Sequence, residues 1–111
     1  MNTLMEYLYR DAENCKVWNE AVLKGCLTDE QISQIYQSLD YSLYFVPHIV
    51  GLPEERFDKW DPESDHPYFE LDEGWIRNVD RPPTVNLTPD EITANFQKCK
   101  GKWDIFLYGI S

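Results

Sequence analysis

A complete start signal for a helix stands at Leu27-Thr-Asp-Glu-Gln-Ile32, and the chain repeats it at residues 87–92. A threonine at the N-cap accepts a hydrogen bond from the third helical residue, and a Gln or Glu at that residue returns one. The flanking apolar residues pack against each other as a staple. Apolar spacing predicts a first helix over about 29–39, and the repeat, Leu87-Thr-Pro-Asp-Glu-Ile92, predicts a second helix that ends near Gly101.

Strand patterns occupy the chain before the first helix and between the two helices. The predicted strands are residues 4–10, 15–24, 43–50, 67–71 and 74–79. The first two form an antiparallel hairpin, and Pro47 indicates a bulge or a sheet edge in the third. The sequence therefore predicts a single α+β domain over residues 1–111. We expect a mainly antiparallel sheet of four to five strands with two helices packed on one face.

The chain is strongly acidic, with 20 Asp and Glu against 10 Lys and Arg and a formal net charge of −10. Such a field repels phosphate backbones and anionic membranes, so we expect no direct binding to nucleic acid and no membrane association. Basic protein surfaces and cations remain as partners, although net charge also simply keeps a protein soluble. The three cysteines match no zinc motif and the N-terminus has no signal-peptide pattern, so we expect a cytoplasmic protein.

Ten of the 20 acidic residues lie in residues 54–80, which we call the acidic-aromatic segment. Large aromatic residues are interleaved with the acids there, and this mixture is typical of a folded binding surface rather than of a solvated tail. The residues expected to contact a basic partner are Asp58, Trp60, Asp61, Glu63, Asp65, His66 and Tyr68. Trp18 falls on the polar face of the second strand, so we expect it outside the core or covered by a neighbouring loop.

Residues 61–66, Asp-Pro-Glu-Ser-Asp-His, imitate the start of a calcium loop. The match fails at the sixth and twelfth positions, where His66 and Asp72 replace the required Gly and Glu. A metal-dependent hydrolase that uses His66 and nearby carboxylates is an alternative, although a zinc site needs three or four ligands and the only other histidine is His48. A solvated acidic turn explains the same residues. We favour a non-enzymatic protein with no catalytic residues, metal or cofactor.

A second polar cluster lies at the end of the predicted hairpin. Arginine suits bidentate contacts with a carboxylate or phosphate, so this cluster predicts, as an alternative function, sequestration of a small nucleotide-like anion. The residues of this ligand site are Tyr9, Arg10, Asn14 and Lys16. An ion pair of Arg10 with Asp11 or Glu13 explains the same cluster without a ligand.

Residues 103–110, Trp-Asp-Ile-Phe-Leu-Tyr-Gly-Ile, are markedly apolar. They predict either a last strand or an exposed patch that a second subunit covers in a homodimer.

Three stretches resemble a group of small uncharacterised bacterial and phage proteins: Tyr9-Arg-Asp-Ala-Glu-Asn-Cys-Lys16, Val50-Gly-Leu-Pro-Glu54 and Asp65-His-Pro-Tyr-Phe-Glu-Leu71. The resemblance implies a bacterial or mobile-element origin and brings no activity. Together with the charge, it favours a binding protein that acts stoichiometrically on a partner with a basic surface. In a phage or mobile element, that partner would be a nucleic-acid-binding or defence protein of the host.

Overall fold

Antiparallel strands build the sheet of this computed structural model, which describes residues 1–10, 16–54 and 68–103. The strands are β1 (Asn2–Arg10), β2 (Lys16–Leu23), β3 (Tyr44–Phe45), β4 (Phe69–Glu70) and β5 (Ile76–Val79). The helices are α1 (Asp29–Gln37), α2 (Pro47–Val50) and α3 (Pro89–Cys99), and a 3-10 turn at Glu73–Trp75 precedes β5. This architecture confirms the predicted α+β class.

The sheet is organised around β1. Strand β2 pairs along its whole length, from Thr3 opposite Leu23 to Arg10 opposite Lys16. The other edge of β1 is shared, since β5 pairs with its first half and β4 with Leu8 and Tyr9. Strand β3 then pairs with β4. Strand β1 is thus a central strand of the sheet, and side chains on both of its faces are buried.

Both predicted helix starts are confirmed. The Thr28 hydroxyl accepts the Gln31 amide at 3.1 Å, and the Gln31 side chain accepts the Thr28 amide at 3.0 Å. The equivalent bonds join Thr88 and Glu91 at the start of α3. The residue beyond the cap of α3, Gly101, has a φ of 71°, the left-handed conformation that glycine adopts without a side-chain clash.

The prediction of one strand over residues 43–50 is wrong in its second half. Only Tyr44–Phe45 pair as a strand, and Pro47 begins the short helix α2 at its first position. A proline fits there because its fixed φ suits the helix and its missing N–H has no intrahelical acceptor to lose. Gly51, at a φ of 90°, ends the turn. The predicted pieces 67–71 and 74–79 do contain β4 and β5.

The core lies between the helices and one face of the sheet, as predicted. Its strand side chains include Met5, Tyr7 and Tyr9, and the side chains of Phe45, Phe96 and Trp103 complete the aromatic centre. The Trp103 indole N–H donates to the Ser38 carbonyl at 2.8 Å. Trp103 is thus a core residue, while the rest of the predicted apolar tail, residues 104–110, lies outside the described residues. No helix in the described part of the chain is both long and apolar enough to cross a membrane.

Candidate functional site

The candidate site is the sheet face that points away from the helices, which we call the outer face. Side chains alternate along a strand, so the neighbours of the core residues project from this face. On β1 and β2, the outer face carries Leu4, Glu6, Leu8, Arg10, Lys16, Trp18, Glu20 and Val22. The other strands add Tyr44, Glu70 and Arg77. The outer face is therefore the side of the sheet that carries the charged side chains.

Like charges face each other between β1 and β2. Glu6 is the register partner of Glu20, and Arg10 is the register partner of Lys16. Two like charges directly opposite in a sheet repel each other, so both pairs need a counter-charge. That counter-charge comes from later in the chain, because Arg10 Nε lies 2.8 Å from Glu70 Oε2.

Two arginines from a later part of the chain neutralise Glu6 and Glu20. Arg77 pairs with Glu6 at 2.5 Å, and Arg81 pairs with Glu20 at 2.8 Å. The hydrogen bond from Arg81 lowers the pKa of the Glu20 carboxyl. Both members of the Arg81–Glu20 pair are about half exposed, so the pair is accessible to a competing cation.

Two indole rings form the aromatic part of the outer face. The Trp18 and Trp75 rings meet edge to face, with centroids 4.8 Å apart. Trp18 lies on β2 and Trp75 ends the 3-10 turn that leads into β5, so the two residues come from opposite sides of β1 and their rings meet above it. Leu4 and Leu8 of β1 are almost fully buried on this face. Trp18 nevertheless remains 51% exposed, whereas Trp103 is buried in the core.

The structure separates the predicted ligand site. Arg10 and Lys16 share the outer face, whereas Tyr9 is fully buried on the core face, with its ring 5.0 Å from that of Phe69. Asn14 lies outside the described residues. Arg10 and Lys16 are therefore brought together, whereas the Tyr9 phenol, predicted to belong to the same ligand site, lies on the opposite face of the sheet.

Most of the predicted partner-binding residues, namely Asp58, Trp60, Asp61, Glu63, Asp65 and His66, lie outside the described residues. Tyr68 is described, and its ring centroid lies 6.3 Å from that of Tyr44. Tyr44 and its register partner Glu70 lie on the outer face, whereas Tyr68 also packs against the hydrophobic core. The described part of the acidic-aromatic segment thus contributes to the same face as Trp18.

The edge of β2 that faces away from β1 lies beside these residues. The Val22 N–H donates to the Thr84 hydroxyl at 2.8 Å, and the Val22 carbonyl accepts the Thr84 N–H at 2.9 Å, so both groups point away from β1. Alternation directs the backbone groups of Lys16, Trp18 and Glu20 the same way. A cavity of about 180 Å³ at this edge is lined by Trp18, Asn19, Glu20 and Pro53.

The other titratable groups among residues 1–10, 16–54 and 68–103 form no second centre. The described residues contain no group of three or more His, Cys, Asp or Glu side chains that could hold a metal ion. His48 is exposed, and its Nδ1 lies 2.8 Å from Glu54 Oε1. Burial raises the pKa of the Cys99 thiol, which therefore stays protonated and unreactive at neutral pH.

Comparison with known proteins gave no match. No family model, curated protein or solved structure is significantly similar to the chain. A functional proposal therefore depends on the outer face and on the charge of the chain.

Sequence reasoning did not assign several charged and aromatic residues of this face, namely Glu6, Glu20, Tyr44, Glu70, Trp75, Arg77 and Arg81. The alternation of residues 4–10 already places Glu6 beside Leu4 and Leu8 on one face. Nothing in the local sequence, however, indicates that Arg77 and Arg81 return to β1 and β2.

Proposed function

We propose that this protein is a non-enzymatic binding protein that engages a basic protein surface stoichiometrically, through its outer face and its acidic-aromatic segment. The observation that carries the proposal is the exposed Trp18 indole, packed on Trp75 and next to Glu20 along the sheet edge. Tryptophan is a frequent anchor at protein interfaces, and an indole face attracts Lys and Arg side chains.

A binding partner can displace the cation that pairs with an acidic group of the outer face with little loss of stability. Ion pairs on a solvent-exposed surface contribute little to stability, so a partner's arginine can replace Arg81 at Glu20 without unfolding the protein. The carboxylates are thus held in position before binding and released by exchange of one cation for another.

The net charge of −10 adds a long-range term. Complementary charge accelerates encounter with a basic partner and is screened by salt. In a phage or mobile element, a host nucleic-acid-binding or defence protein presents such a basic surface, and its occupation would inhibit that protein.

The test is retention of basic proteins from a bacterial lysate by the immobilised protein at low and high salt. We expect a species retained in stoichiometric amount at low salt, released at high salt and lost in Trp18→Ala. Tyr41→Ala is the matched control, since Tyr41 is an exposed aromatic residue in the turn before β3. Retention that is insensitive to salt, or equal in the two variants, contradicts the proposal.

A second candidate function is sequestration of a small nucleotide-like anion. The observation that favours it is the juxtaposition of Arg10 and Lys16 on the outer face. Its test is calorimetric titration with nucleotides, for which Arg10→Ala abolishes binding and Asp61→Asn does not.

The metal-dependent hydrolase stays a prediction, because His66 lies outside the described residues. Native and denaturing mass spectra of the purified protein test it. A metal lost on denaturation and absent from His66→Ala supports that function, and a bare chain contradicts it.

A further inference from the structure

Residues of the described part of the chain cover the C-terminal half of the outward edge of β2 and leave its N-terminal half open. Residues 84–87 run beside its C-terminal half, where the Thr84 N–H donates to the Val22 carbonyl and the Lys24 N–H donates to the Leu87 carbonyl, each at 2.9 Å. The covering segment begins after Pro82 and Pro83, which have no N–H to donate. A later segment of the chain therefore already pairs with this edge, and among the described residues this backbone pairing does not extend to Glu20.

The open half presents backbone groups with no acceptor or donor in the described part of the chain. Lys16, Trp18 and Glu20 have the same alternation as Val22, so their N–H and C=O groups point outward. None of the described residues bonds to them there. A row of this kind is a template for an added strand.

A cavity beside this row has the chemistry for a basic side chain. Its volume is about 180 Å³, several times the roughly 30 Å³ that one water molecule occupies in the liquid, so it has room for one long side chain. The residues that line it include Trp18 and Glu20, and an indole and a carboxylate attract a guanidinium or an ammonium by cation–π and charge-assisted contacts.

We infer that the partner adds an extended, basic segment to the sheet along Lys16–Glu20 and places an Arg or Lys side chain in the cavity beside Trp18. Main-chain hydrogen bonds supply affinity in this mode, and the cavity supplies specificity. The inference rests on the proposed function and names the partner's binding element. A basic occupant suits a chain of net charge −10, whereas a second copy would bring two such charges together.

The probe is a short, blocked synthetic peptide in which Arg alternates with Val. The control peptide has the same residues arranged as a block of Arg followed by a block of Val, so its charge is equal but its alternation is lost. Hydrogen exchange of the Lys16, Trp18 and Glu20 amides is followed by NMR at low salt. We expect these amides to exchange about tenfold more slowly at a peptide concentration about ten times the Kd.

Two variants at one position separate backbone pairing from charge. Glu20→Ala removes the carboxylate and keeps the outward N–H, whereas Glu20→Pro removes both. Proline is tolerated where the N–H faces solvent at a sheet edge. We expect Glu20→Pro to bind the alternating peptide about two- to tenfold more weakly than Glu20→Ala, since one hydrogen bond is lost. The exchange measurement on the unaltered protein decides the question if the proline variant does not fold.

The outcomes are distinguishable. Slowed exchange with the alternating peptide alone supports the inference. Equal binding of both peptides without slowed exchange overturns it and leaves the proposed function standing. Failure of both peptides to bind at low salt overturns the inference and the proposed function together. Slowed exchange that depends on protein concentration, without peptide, assigns the edge to a second copy and also overturns the inference.

Discussion

Glu6 and Glu20 lie directly opposite each other on the outer face, and each is neutralised by a different arginine from the chain that follows β4. Arg77 on β5 reaches Glu6, and Arg81 reaches Glu20 after the chain leaves β5. The like-charged pair therefore joins the first hairpin to a distant segment. It also leaves the charge of Glu20 neutralised by an exposed arginine, Arg81, at the edge where we propose that a partner binds.

Arg81→Gln should raise the pKa of Glu20 toward its ordinary value of 4.5. The side-chain hydrogen bond from Arg81 is the largest cause of the lowered pKa, and the charge of Arg77 is a smaller one. An NMR titration of the Glu20 carboxyl measures the change. Arg77→Gln is the control and should raise this pKa less.

The same pKa gives a pH dependence of stability. A carboxyl whose pKa is lower in the folded state stabilises the protein fully above its unfolded-state pKa, and this contribution is lost as the pH falls through the folded-state pKa. Unfolding in urea, measured from neutral to acid pH, should show a smaller loss at acid pH for Arg81→Gln than for the unaltered protein. An equal loss in both would show that the ion pair does not form in solution.

Thr88→Ala should destabilise the protein by about 1 kcal/mol, the usual effect of removing an N-cap hydroxyl. The Glu91 amide would lose its acceptor, the Thr88 Oγ1 atom. Urea unfolding followed by circular dichroism measures the difference. Thr88→Ser keeps the hydroxyl and is the control, which should stay close to the unaltered protein.

Gly51→Ala should cost more stability than Gly101→Ala. Both glycines have a positive φ, of 90° and 71°, so both substitutions introduce backbone strain, about 1–2 kcal/mol in the left-handed region. A Cβ at Gly51 would also lie 3.3 Å from Leu87 Cδ1, whereas a Cβ at Gly101 would meet no atom of the described residues within 4 Å. Thermal unfolding of the two variants compares them directly, and an equal loss would show that Leu87 moves aside freely.

The helices are predictable from the sequence because their signals are local. A capping box needs only residues three positions apart, so Thr28 and Thr88 identify the helix starts without tertiary information. The sequence does not reveal that Pro47 begins a helix, because a proline after an apolar residue fits both a sheet edge and a first helical position. The short helix that it begins is identified only from the structure, in which Gly51 ends the helix in a left-handed conformation.

The outer face is only half predictable. Alternation along β1 puts Glu6 and Arg10 on one face, but their counter-charges come from Arg77 and Glu70, which lie at least 60 residues further along the chain. Pairing of β1 with both β4 and β5 creates these contacts, and no short-range pattern specifies that topology. The half of the β2 edge that no described residue covers is likewise defined only by the position of Thr84 beside Val22.

Neutralisation within the acidic-aromatic segment should weaken partner binding more than the same charge change elsewhere. Asp61→Asn with Glu63→Gln removes two charges from the predicted contact region. Asp29→Asn with Glu30→Gln removes two from the first turn of α1 and is the matched control. Binding of a basic partner, measured at several salt concentrations, should lose salt dependence mainly in the first variant. Equal weakening would assign the effect to net charge alone.

Trp103→Ala should destabilise the protein by about 3–5 kcal/mol, the range for removing a large buried aromatic side chain. Trp103 is 2% exposed, and its ring lies against Phe45 and Phe96, at 6.4 and 5.9 Å between centroids. Trp103→Phe keeps a ring in this cluster but leaves the Ser38 carbonyl without its donor, so an intermediate loss is expected in urea unfolding.

The same residue sets the limit for testing the predicted homodimer. A deletion of residues 103–111 would remove a core side chain, so loss of a dimer in that variant would reflect unfolding. A deletion of residues 104–111 keeps Trp103 and its bond to Ser38. If the apolar tail forms the dimer interface, sedimentation should find the unaltered protein as a dimer and this variant as a folded monomer. An unchanged assembly would exclude residues 104–111 as the interface.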